Sequence, residues 1–120
     1  MFIAALVVAV LGCLFILFIG GRFLVAPAIA TAGFGVAEDR RRAFTSIKGV
    51  RDITSGIVPL VVLLVAGPQV FGWVLVAAAI TPIGDAVIVL TNGGTLKQAL
   101  SVHGATAVVL IAAGLVLALS

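Results

Sequence analysis

Lys48-Gly49-Val50-Arg51-Asp52-Ile53-Thr54-Ser55-Gly56 is a run of charge that leads straight into an apolar one, Ile57 to Ala66. Lys48, Arg51, Asp52, Ser55 and Pro59 recur at spacings of three and four, which on an α-helix stacks them on one face. An ionised side chain in hydrocarbon costs several kcal/mol on insertion scales, so such a face must meet protein or water. A helix charged at its mouth and apolar beyond it belongs in a membrane. What stands opposite the charged face then decides what the protein can do.

Composition agrees with a membrane setting. The chain has 120 residues, of which 63% are hydrophobic and 9% charged. A soluble domain carries roughly 25% charged residues, and a globule this small cannot hide so much apolar surface. Its one cysteine, Cys13, lies inside an apolar run, so neither a disulfide framework nor a metal site is expected and Cys13 reads as a small packing or lipid-facing residue.

Working outward, the apolar segments number four, at about 2–20, 46–66, 72–90 and 96–119, in a single domain over 1–120. The first is long enough to cross a bilayer, for which about 20 residues are needed. It lacks a basic residue before it and a cleavage site after it, which argues against a removed signal peptide. Gly20-Gly21-Arg22 marks its expected end, with Pro27 soon after, and Glu38-Asp39-Arg40-Arg41-Arg42 forms the one distinctly polar connection. Gly67-Pro68 signals a turn after the second segment, and Thr91-Asn92-Gly93-Gly94 one after the third. Phe71 and Trp73 suit a membrane interface. Pro82 and Gly84 should interrupt the third segment. Short loops make neighbouring helices antiparallel, so the expected fold is an all-α, up-down bundle of four transmembrane helices.

The basic residues set the expected orientation. Arg22, Arg40, Arg41, Arg42, Lys48, Arg51 and Lys97 all fall at one side of such a bundle, while Ala66 to Gly72 carries no charge. The positive-inside rule then places both termini on the noncytoplasmic side and the charged loops in the cytoplasm, in a bacterial inner membrane. This asymmetry accounts for the net charge of +3 without a nucleic-acid partner. The triple arginine reads as a topology anchor that also meets anionic head groups of the lipid bilayer.

Antiparallel packing brings the polar residues together. Asp52 in helix 2, Asp85 near the end of helix 3 and His103 near the start of helix 4 all lie one or two turns from the same side. Thr81 and Asp85 share a face, Asn92 lies about two turns on, and Ala99, His103 and Thr106 share another. Two carboxylates, an imidazole and a guanidinium converge at similar depth. Each also has a plainer reading. Lys48 and Arg51 can snorkel to head groups, Asp52 can pair with either of them at a helix N-terminus, and a membrane histidine often makes one interhelical hydrogen bond.

The stretches Lys48 to Gly56, Pro82-Ile83-Gly84-Asp85-Ala86 and His103-Gly104-Ala105-Thr106-Ala107 resemble the signatures of a family of small four-helix membrane proteins. That family is known as a domain of unknown function (4267) and is loosely similar to DoxX-like proteins. The resemblance spans nearly the whole chain, including Arg22-Phe23 through Gly33-Phe34-Gly35-Val36. It implies the four-helix architecture and singles out Arg51, Asp52, Asp85 and His103, and it implies no activity.

Function must therefore be argued from chemistry. A pocket with two carboxylic acids and a histidine suits acid–base work on a lipophilic small molecule, such as epoxide opening, isomerisation or cyclisation. A carboxyl in a poorly solvated pocket can keep a proton to give near neutral pH. In that scheme Asp85 protonates the substrate, Asp52 or His103 accepts a proton, and Arg51 orients Asp52. Lys48, Ser55, Thr81, Asn92 and Thr106 would line the substrate site. A second class is a proton-coupled transporter of the small multidrug type, whose characteristic acid lies in helix 1, where this chain has none between Phe2 and Gly21. A third is a noncatalytic membrane subunit, its small residues serving assembly, homo-oligomers included. No cofactor is expected; a haem would have His103 as its sole axial ligand, which is weak support.

Overall fold

The computed structural model describes residues 1–25 and 42–120. Its first helix, α1 (Phe2–Val25), is built from Ala, Val, Leu, Ile and Phe with no proline to interrupt it. The expected end at Gly20-Gly21 is overrun, and the helix continues through Arg22 to Val25. Gly20 is there for packing. A Cβ on it would sit 2.7 Å from the Gly49 carbonyl oxygen, so only a residue without one lets α1 press against the next helix. The polar connection, with Pro27, Glu38, Asp39, Arg40 and Arg41, lies outside the described residues.

The helical run α2 (Arg42–Ala78) holds Gly67 at φ 85°, ψ 175°, where the helix breaks. This is a conformation glycine adopts freely and other residues do not. Pro68 then restarts the helix at once, because its fixed φ and missing N–H suit a first helical position. The loop expected over 66–72 is thus reduced to one residue. A straight helix over the apolar stretch Ser46–Thr91 would be about 69 Å long at 1.5 Å per residue, yet the molecule's longest extent is 44 Å. The chain doubles back at Gly67, and residues 50–55 come to lie beside residues 81–88.

A second, milder break falls at Ala79. Pro82 has no N–H for the Ala78 carbonyl, and the Ala79 N–H is shared between the carbonyls of Leu75 at 3.1 Å and Val76 at 3.2 Å. Helix α3 (Ile80–Thr91) follows. It ends where the Gly94 N–H donates to the Val89 carbonyl at 2.8 Å around Gly93, whose φ is 84°. Thr95 caps the short α4 (Leu96–Gln98) by accepting from the Gln98 N–H at 3.1 Å. A π-helical turn, Ala99–Gly104, connects it to α5 (Ala105–Ala118).

Three helical stretches, Phe2–Val25, Ser46–Thr91 and Leu96–Ala118, are long and apolar enough to cross a membrane. Little of each is buried, and residues such as Ile3, Phe15, Leu64, Val65 and Val108 point outward. That is the surface lipid requires. Ala5, Ala9 and Cys13 of α1 pack against Phe71 and Leu75 of α2 and Ala113 and Leu117 of α5, all at the charge-free end. The backbones touch there too, since a Cβ on Gly72 would lie 2.5 Å from the Gly114 carbonyl oxygen. The cavity runs from this cluster, where Cys13 and Leu75 belong to its lining, to Arg22, Lys48 and Asp52 at the charged end.

Candidate functional site

Helix periodicity builds the site. On α2, Lys48, Asp52, Ser55 and Pro59 follow one another at four, three and four residues and line one wall of a cavity of about 670 Å³. Ala78, Thr81, Pro82 and Asp85 make a second wall by the same spacing, and His103 and Thr106 belong to a third. The neighbouring face of α2, with Gly49 and Gly56 about a quarter-turn round the helix, presses on α1. The expected convergence of Asp52, Asp85 and His103 on one cavity is what the structure contains.

Asp52 is buried, and Lys48 donates to its Oδ2 at 2.8 Å. The two are four residues apart, the spacing that brings side chains together on a helix. Lys48 also stands over the Phe23 ring, 4.6 Å from its centroid, so α1 helps to hold the pair. Arg51, expected to orient Asp52, is exposed and faces a second crevice of about 620 Å³ with Ile47, Val50 and Ile88. Arg51 is one residue, about 100° of helix, from Asp52, and it borders the second crevice without lining the first.

His103 is 4% exposed, and its Nδ1 lies 4.0 Å from Asp85 Oδ2. That distance is too long for a hydrogen bond, but the groups can exchange a proton through one small shift or a water. The π-helical turn ends at His103 and Gly104. Such turns insert one residue into a helix and are frequent at functional sites, because they re-aim a side chain. Here the re-aimed residue is the one buried imidazole.

The remaining polar groups divide. Ser55 and Thr81 line both cavities, as Lys48, Asp52 and Asp85 do, so this polar row is the partition between them. The Ser55 hydroxyl donates to the Arg51 carbonyl at 2.8 Å and the Thr106 hydroxyl to Val102 at 2.6 Å, so each keeps oxygen lone pairs for a ligand. Asn92 does not join them. It is exposed at the end of α3, where its Nδ2 donates to the Ile88 carbonyl at 2.8 Å.

Sequence reasoning missed the contribution of α1. Ile16, Ile19, Arg22 and Phe23 form a cavity wall, and the only signal for it was Arg22 at the same end as Lys48. Among the described residues, no group of three or more His, Cys, Asp or Glu side chains is arranged to hold a metal ion.

A family model described as a domain of unknown function, DUF4267, matches residues 13–117, and the chain belongs to that family. The match takes in every site residue named above. Comparison with curated proteins and with solved structures gave no match.

Proposed function

We propose that this member of the family is a small integral membrane enzyme that performs acid–base chemistry on a lipophilic small molecule. It would sit in a bacterial inner membrane as four transmembrane helices, with Gly67 as the turn between the second and third. Both termini lie on the noncytoplasmic side, and Arg22, Lys48 and Arg51 lie at the cytoplasmic one. The observation that carries the reading is the pair Asp85–His103 at 4.0 Å, at the polar end of a cavity whose walls are otherwise mostly apolar.

Such a cavity, within the usual size range of about 300–1,000 Å³, holds a lipophilic ligand and fixes its orientation through a few polar groups. Asp85 gives a proton to a substrate oxygen or double bond. His103 or Asp52 takes one from the substrate or from an attacking water. One proton enters and one leaves, and nothing is oxidised or reduced, as in an isomerisation, a cyclisation or an epoxide opening. Lys48, and not Arg51, is the cation that orients Asp52 for this task. A transporter would need a polar route to the other face, where Phe71, Leu75 and Leu117 are packed shut.

In the test the protein selects its own substrate from the host. Wild type and Asp85→Asn are purified from the same cells, and their copurifying lipophiles are extracted and compared by mass spectrometry. The variant should carry a molecule that wild type converts to an isomer or a hydrate on mixing. Extracts that are identical, and unchanged by incubation with wild type, would overturn the proposal.

A further inference from the structure

We propose that the cavity takes a single-chain lipid with a carboxylate head, entering sideways from the bilayer. The head lies at Arg22 and the chain runs along α1 toward Gly12 and Leu11. This rests on the reading that the cavity is the substrate site, and it names the substrate class.

The cavity's shape argues for a chain. Its α1 wall extends from Leu11 to Arg22. At 1.5 Å per residue that is about 16 Å, the depth of one leaflet of a hydrocarbon core about 30 Å thick. The deep end is bounded by Leu11, Leu75, Val109 and Leu110 and holds no charged group. The volume of about 670 Å³ is a drug-sized space that one chain and its head would fill.

Two features argue for entry from lipid. Leu11 and Phe15 on α1 and Val102 and Val109 on the C-terminal helical stretch line the cavity and are also exposed on the outer surface. The opening between these two walls therefore faces the bilayer. The charged groups, Arg22, Lys48, Asp52 and Asp85, are confined to the other end, at the level where a lipid head would sit.

Charge argues for the head. Arg22 lines the cavity in the last turn of α1, with its guanidinium 5.8 Å from the Phe18 ring centroid. Contact with an aromatic ring takes up none of the guanidinium's N–H groups in hydrogen bonds, and two parallel N–H groups match a carboxylate. Lys48 adds positive potential beside it, already balanced in part by Asp52. With its head there, the first carbons of the chain pass between Asp85, His103 and Asp52.

The test is displacement of dansyl-undecanoate from the full chain in phosphatidylcholine nanodiscs, with empty nanodiscs subtracting simple partitioning. Dodecanoate should displace it saturably and at least about tenfold better than dodecanol or dodecyltrimethylammonium, the scale of a charge-assisted hydrogen bond. Arg22→Gln, which keeps the long stem, should remove that preference. Gly12→Leu narrows the deep end at a position where a Cβ would meet nothing within 4 Å. It should leave octanoate binding unchanged and weaken myristate about tenfold. Equal displacement by the alcohol, an unchanged Arg22→Gln, or a Gly12→Leu effect that ignores chain length would each overturn the proposal. Displacement is read without turnover, so it fails or succeeds separately from proton donation by Asp85.

Discussion

Replacing Asp52 by Asn leaves Lys48 in place while removing the carboxylate that accepts its hydrogen bond. The pair is 2.8 Å apart, with side chains 29% and 12% exposed for Lys48 and Asp52. An exposed pair contributes about 0.2–1 kcal/mol, and removing one partner of a fully buried pair costs about 3–5 kcal/mol. Lys48 is intermediate, because it reaches some solvent and keeps the Phe23 ring at 4.6 Å. The expected loss is therefore about 2 kcal/mol. Unfolding in SDS–detergent mixtures, followed by the fluorescence of Trp73, measures it. The double variant Lys48→Met with Asp52→Leu should return to within about 1 kcal/mol of wild type, since well-packed apolar side chains often replace a buried pair without cost. Arg51→Gln should change stability by less than about 0.5 kcal/mol, because Arg51 is exposed on the other crevice. An unaffected Asp52→Asn together with a destabilised Arg51→Gln would refute the assignment of Lys48 as the partner.

Gly56→Leu should lose at least about 2 kcal/mol or fail to fold, because a Cβ there would stand 2.7 Å from both the Cys13 carbonyl oxygen and Leu17 Cγ. Gly84→Ala, where a Cβ meets nothing within 4 Å, should unfold at the wild-type detergent concentration or slightly above it. A reporter fused after Ser120 should be active on the noncytoplasmic side, and a cytoplasmic result would invert the orientation. Gly67→Ala should cost about 1 kcal/mol or more at its φ of 85°, read in the same SDS titration, and a neutral result would mean that the turn tolerates a side chain.

The apolar spans were legible because nothing but a membrane accommodates so much Ala, Val, Leu and Ile. The turn at Gly67-Pro68 was legible in kind and not in length, since the pattern shows a breaker but not that Pro68 can restart the helix unaided. Gly20-Gly21 looked like a helix end because glycine weakens isolated helices, whereas here Gly20 serves contact with Gly49, which a one-dimensional pattern does not show. The approach of Asp85 to His103 followed from antiparallel packing and charge placement alone. The choice of Lys48 over Arg51 was open to the sequence too, because Lys48 is four residues from Asp52 while Arg51 is its neighbour, and neighbours on a helix do not face each other. The π-helical turn that re-aims His103 carries no compositional mark, and the α1 wall of the cavity is written in apolar residues that could as well have faced lipid.

The most direct test of the acid–base account is the single-turnover rate of Asp85→Asn on the lipophile recovered from it, set against wild type in the same nanodiscs. Asparagine keeps the shape of the side chain and loses the proton it can give. The account predicts undiminished binding with a rate lower by at least about a hundredfold, the scale for losing a general acid. A rate within a few-fold of wild type would contradict it.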